Sequence, residues 1–209
     1  MDMSVPGILS LAEWRREMFA LYAAARADAD PGHAWKRWCD ARRALFREHP
    51  QSPVPLAERA EYSGPHVFPY DSAARVVASL EPLDGGPVDV ATSDGRATRM
   101  LRFARAGFDL FGHAAALDVH WLDQYGGGVY LAFRDGTSGT SSYGGGRYLL
   151  DTVKGADLGV EGDRLVLDFN FAYQPSCSYD PRWSCPLPPP ENGLTFEVAA
   201  GERSSEPAG

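Results

Sequence analysis

Cys177 and Cys185, with seven residues between them that include Tyr179, Pro181 and Trp183, are the side chains of this sequence best suited to nucleophilic chemistry. A thiol attacks carbonyl or sulfur centres once it loses its proton, and His120 or His113 would have to approach through the fold to take it. The pair could instead close a disulfide, which for so short a loop stabilises by roughly 2 to 3 kcal/mol in an oxidising setting. A metal pair is the third chemistry. The spacing is wider than the C-x2-C of zinc knuckles and no nearby histidine completes a ligand set, so no metal is assigned.

Asp168 and Asn170 alternate with Leu167 and Phe169, so on a strand they share one face. In a polar cavity burial would raise the pKa of Asp168 and make it a general base, with Asn170 and the Tyr173 hydroxyl beside it; on the surface all three would simply meet solvent. Asp118 and His120 are also two apart, as an oriented acid–base pair requires, although a simple hydrogen-bonded histidine fits the same spacing. Asp135 and Arg147 flank Tyr143 and the run Gly144, Gly145, Gly146. No lysine follows the glycines in a phosphate-binding loop and no G-x-G-x-x-G joins a strand to a helix, so the run reads as a hairpin. Across it Asp135 and Arg147 can pair, either pinning the hairpin or orienting the arginine fork on a substrate carboxylate. Pro186, Pro188, Pro189 and Pro190 then form a stiff crossover that turns Glu191 back toward the glycines. Asp168, Cys177 and His120 are therefore the candidate catalytic residues. Asp135, Tyr143, Arg147, Asn170, Tyr173 and Glu191 are the candidate ligand contacts, and no cofactor is implied.

Two helices and a run of strands must position these groups. Leu11, Trp14, Met18, Leu21 and Tyr22 recur at helical spacing from Leu9, with Ser10 as N-cap and Glu13 three residues on. Pro31 and Gly32 break that helix, and Trp35, Trp38, Cys39, Arg42, Leu45 and Phe46 stripe a second, which Pro50, Pro53 and Pro55 end. From Val67 the period falls to two: Val76 and Val77, Leu101 and Phe103, Leu117 to Trp121, Val129 to Phe133, Leu165 to Phe171 and Leu194 to Val198 read as strands, with a hairpin at Gly107. Turns too short for crossover helices imply an antiparallel sheet. The expected fold is mainly β with N-terminal helices, an α+β meander closed into a barrel or sandwich with both helices on one end or face. Residues 1–50 form the helical segment, 51–202 the β domain and 203–209 a flexible tail.

FRDGTSGTSSYGGGRYL, LDFNFAYQPSCSYDPRWSCPLPPPEN and the AGE ending at Glu202 together resemble the bacterial domain-of-unknown-function family 1684. Trp14 and Arg15 match its W-R helix, and Ser52, Pro53 and Val54 match its S-P-L segment imperfectly, so the resemblance runs from about Trp14 to Glu202. It implies that Asp135, Thr137, Gly145, Arg147, Asp168, Asn170, Tyr173, Cys177, Cys185, Glu191 and Asn192 occupy motif positions, and it implies no activity. Gln174, Ser176 and Gly193 depart from the pattern at loop positions beside the motif.

With 44% hydrophobic and 23% charged residues in 209, the chain has the composition of a folded domain. A net charge of −8 disfavours nucleic acid as a partner, since that affinity comes from clustered Lys and Arg. The basic residues between Arg15 and Arg47 are interleaved with acids, as on a solvated helix face. No basic segment leads into an apolar stretch at the N-terminus and no membrane-length apolar run occurs. A cytoplasmic protein with no membrane partner and reduced thiols is expected. The function read from these residues is binding of a small, anionic molecule in a β-barrel or sandwich cavity. The alternatives are a small hydrolase, lyase or isomerase in the same cavity, and a non-catalytic interaction module.

Overall fold

In the computed structural model, residues 4–123 and 125–204 are described. Helix α1 (Val5–Ala27) begins four residues before the predicted start, because the Ser4 hydroxyl accepts the Gly7 amide at 3.2 Å and a proline occupies the first turn. Ser10 lies inside the helix, its hydroxyl buried without a partner. Helix α2 (Pro31–Glu48) is capped by Asp30, whose carboxylate accepts the amides of Gly32 and His33. Its buried face is Ala34, Trp38, Arg42 and Phe46, one residue per turn. Met18 and Tyr22 of α1 pack on that stripe and, with Ala156 and Phe171, join the helical hairpin to the β domain.

The strands are β1 (His66–Val67), β2 (Arg75–Pro82), β3 (Pro87–Ala91), β4 (Ala97–Leu110), β5 (His113–Leu122), β6 (Val129–Phe133), β7 (Arg147–Asp151), β8 (Val160–Glu161), β9 (Arg164–Asp168) and β10 (Glu202–Arg203). Eight of them form one antiparallel sheet in the order β7-β6-β5-β4-β2-β9-β8, with β3 paired to the first part of β4, and this sheet curls into a half-barrel. The α+β architecture is the expected one. The register breaks at Arg102/Ala104 in β4 and at Leu131/Ala132 in β6, the kind of irregularity that lets a sheet curl.

β4 passes straight through Gly107, which pairs with Ala116. The turn comes at Phe111 and Gly112, both with positive φ, as a two-residue hairpin of this twist requires. β9 ends at Asp168 because its carboxylate accepts the Asn170 amide at 3.0 Å and folds Phe169–Phe171 into a 3-10 turn. Asn170 therefore does not share a strand face with Asp168. Leu194 and Val198 are buried as expected but belong to no strand: the segment's amides and carbonyls bond to the loop after β6, where Gly136 N–H donates to Phe196 O and Val198 N–H to Asp135. Arg203 pairs with His66 in a two-stranded sheet, and residues 205–209 of the expected tail lie outside those described.

Alternation gives the sheet two buried faces. Leu117, Val119, Leu131, Phe133, Leu167 and Phe169 pack on one side with Leu194, Val198 and Ala200, a continuous apolar core. Met100, Tyr130, Ala132 and Tyr148 look to the other side and are covered by the segment that carries Cys177, Trp183 and Cys185. At about 25 cal/mol per Å² of buried apolar surface, both faces contribute to stability, and the second one fixes the cysteine segment in place.

Candidate functional site

The crossover after β9 is tied down along its length. Tyr130 and Tyr148, from β6 and β7, both donate to the Pro186 carbonyl. The turn after β3 grips the same stretch: Ser93 N–H donates to Cys185 O, Leu187 N–H to Ala91 O, and Cys185 N–H to the Ser93 hydroxyl. Asn192 closes the segment, accepting Asp118 N–H at 2.7 Å and donating to the Asp118 and Ala132 carbonyls. One buried amide thus replaces three main-chain contacts between β5, β6 and the crossover.

Cys177 sits on a 3-10 turn (Ser176–Ser178) and is half-buried, whereas Cys185 is buried. The Cys177 amide donates to Cys185 Sγ at 3.3 Å, and both thiols are free. From the glycine hairpin, Tyr143 Oη reaches Cys177 Sγ at 3.7 Å. The Ser93 hydroxyl bears on the same sulfur and shares its one hydrogen with the Trp183 carbonyl. A hydrogen bond from the Cys185 thiol, helped by these hydroxyls and opposed by burial, lowers Cys177 to a pKa of about 6. Cys185 moves the opposite way, held protonated by its bond to Cys177 and by burial. Burial raises Tyr143 to about 12, so it remains a donor at neutral pH. These contacts favour the Cys177 anion without a histidine.

Asp135 and Arg147 do pair across the glycine hairpin, at 3.1 Å and with neither side chain exposed. Arg147 also donates to the carbonyls of Val198, Ala200 and Glu202. Asp135 accepts from Thr137 and from Val198 N–H. Of the arginine's donors only Nε lacks a partner, so the fork is spent on the fold. Thr137, which also bonds to Ser142, completes the network that orients the hairpin carrying Tyr143.

The other candidates stand apart from this cluster. Asp168 accepts both the backbone and side-chain N–H of Asn170, and Asn170 in turn clasps the Asp71 main chain. Burial raises Asp168 to about 6 beside a pocket of about 70 Å³ that Arg26, Pro31 and Arg75 help to line. His120 pairs across the ladder with Arg102 and Tyr130, its Nδ1 buried without a partner and its pKa lowered by burial. Asp118, on the same face, is engaged by Arg102 and Arg105. Glu191 is exposed in the 3-10 turn Pro190–Asn192. Tyr173 stacks edge-on against Tyr148 and covers the Arg42 guanidinium.

Arg42 was legible as an arginine in an aromatic stripe, but its partner was not. It binds Glu202 from within a cage of Trp38, Phe46 and Tyr173, and Glu202 also accepts Gln174 N–H and the Tyr179 hydroxyl. This ion pair ties the helices to β10. Ser93 carried no signal in the sequence, since a serine in a short turn is ordinary.

Among the described residues no helix is long and apolar enough to cross a membrane, and no group of three or more His, Cys, Asp or Glu side chains is placed to hold a metal ion. No curated protein matches the chain. A solved structure similar to it is the solution NMR structure of an uncharacterised protein of Haloarcula marismortui, 39% identical, with a TM-score of 0.58; the match covers 79% of this chain and 90% of that one. Residues 60–203, which carry all ten strands and the thiol cluster, match the family described as "Protein of unknown function (DUF1684)", and the chain belongs to that family.

Proposed function

We propose that this chain binds a small molecule where the glycine hairpin, the turn after β3 and the cysteine crossover converge, and that it presents the Cys177 thiolate there. The observation that carries the proposal is one half-buried sulfur, that of Cys177, facing hydrogen-bonding groups from separate segments, none of which carries a formal charge. Such an arrangement favours the anion through directed donors. With a pKa of about 6 the thiol is already ionised at neutral pH, so nucleophilic attack needs no general base from His120 or Asp168.

In this scheme Arg147 and Asp135 are positioning residues that aim Tyr143, and Asn170 and Asp168 hold the turn leading into the crossover. The ligand class is an electrophilic small molecule, and the reduced thiols call for a reducing compartment such as the bacterial cytoplasm. Nothing in the chemistry calls for nucleic acid or a membrane. The test is the pH profile of Cys177 alkylation by iodoacetamide, followed by peptide mass spectrometry. The expected midpoint is near pH 6, rising by roughly one unit in Tyr143→Phe and by more in Cys185→Ala, since each removes a bond to the charged form. A midpoint at the ordinary thiol value of about 8.5 in the unaltered protein would sink the proposal.

A further inference from the structure

We infer that Cys185 is the resolving partner of Cys177, so that the two thiols together reduce a hydroperoxide and close to a disulfide. The inference rests on the proposed thiolate site and adds its substrate class. Its basis is geometric. Cys185 Sγ already lies against Cys177, accepting its amide at 3.3 Å. Cys177 is partly exposed, and Cys185 is buried in the cluster that also holds Tyr130 and Tyr148. An oxidant no larger than hydrogen peroxide can therefore meet the first sulfur and not the second, as an attacking and a resolving thiol require.

The step balances within the site and its oxidant. Cys177 S⁻ attacks one peroxide oxygen, an S–O bond forms, the O–O bond breaks, and the leaving hydroxide takes a proton to become water. Tyr143 Oη, 3.7 Å from the sulfur, is a hydroxyl placed to assist that protonation. Cys185 then gives up its proton and its sulfur attacks Cys177 sulfur. An S–S bond forms, the S–O bond breaks, and the hydroxide lost from the sulfenic acid takes that proton and leaves as a second water. Two thiols are oxidised by two electrons and one peroxide is reduced to two waters. Cys39 takes no part: burial on α2 raises it to about 12.

The test treats the reduced full-length chain with one equivalent of hydrogen peroxide and reads it by intact and peptide mass spectrometry, with dimedone present to trap sulfenic acid. The expected product is a Cys177–Cys185 disulfide with Cys39 still free, while Cys185→Ser and Cys185→Ala stop at a dimedone-trapped Cys177. If unaltered protein accumulates sulfenic or sulfinic acid to the same extent as the Cys185 variants, or its disulfide uses Cys39, the resolving role is wrong. Rapid iodoacetamide labelling of Cys177 at pH 7 in that same sample would leave the thiolate site standing. Slow labelling together with no oxidation would overturn both.

Discussion

Arg147 looks, from its residue type and glycine neighbours, like a ligand-binding arginine, and its surroundings make the opposite prediction testable. Arg147→Met keeps the length and apolar stem of the side chain but deletes every donor. It strands the carbonyls of Val198, Ala200 and Glu202 and leaves Asp135 charged and buried, supported by Thr137 and Val198 N–H. Breaking a buried ion pair from one side costs about 3 to 5 kcal/mol, and each stranded carbonyl adds about 1 to 3 kcal/mol if water cannot reach it. Groups in one network do not add, so about 4 to 6 kcal/mol is the expected loss. That is a large part of a domain's usual stability of about 5 to 15 kcal/mol. In urea, with a slope of about 2 to 3 kcal/mol per molar, the midpoint followed by tryptophan fluorescence should fall by roughly 2 M. The double variant Asp135→Asn/Arg147→Met should recover part of this, because it removes the orphaned charge. A single variant within about 1 kcal/mol of the parent, with an unchanged slope, would refute the structural assignment and return Arg147 to the list of ligand contacts.

Asp168 should make stability fall with rising pH. Its folded pKa of about 6 exceeds the ordinary 3.8, so the folded chain holds the extra proton between those values; the contribution is full below about pH 4 and lost as pH rises through 6, on the order of 3 kcal/mol in all. Asp168→Asn, which still accepts the Asn170 amide, should flatten the difference in melting temperature between pH 4 and pH 8, and an unchanged difference would show that Asp168 is not buried as a proton carrier. Gly146→Ala should cost about 2 to 3 kcal/mol and slow Cys177 alkylation by displacing Tyr143, because Gly146 has φ +88° and a Cβ there would lie 2.6 Å from Phe133 O and 2.6 Å from Pro188 Cγ. Gly144→Ala, whose Cβ would find its nearest neighbour at 3.5 Å, should be tolerated; equal effects at the two positions would contradict the hairpin geometry.

Period and punctuation made the elements legible. The α2 stripe and the strands read at Val76 and Val77, Leu117 to Trp121 and Val129 to Phe133 appear where the pattern places them. Three of the misplacements share a cause: side-chain to main-chain bonds compete with the ladder and leave no periodic trace. Ser4 starts α1 early, Asp168 ends β9 early, and Asp135 takes the Val198 amide that a strand would have used. Within the candidate site, the glycine hairpin, its ion pair and the cysteine-bracketed crossover were visible as separate motifs. Their meeting at Tyr143 and Cys177 was not, because those residues lie 34 positions apart and nothing local joins them.

By itself, the sequence determined the two helices, the main strands, the antiparallel class, the family and the handful of residues rich enough in chemistry to matter, because residue type, spacing and hydrophobic period are local quantities. Only the tertiary structure decided which of those residues keep a free hand. Burial and the saturation of donors turn Arg147, Asp135, Asp168 and Asn170 toward the fold. The same packing leaves Cys177 half-buried among hydrogen-bond donors that favour its anion. Charge, exposure and pKa depend on what the rest of the chain brings alongside a group, and that is set by long-range packing rather than by neighbours in sequence.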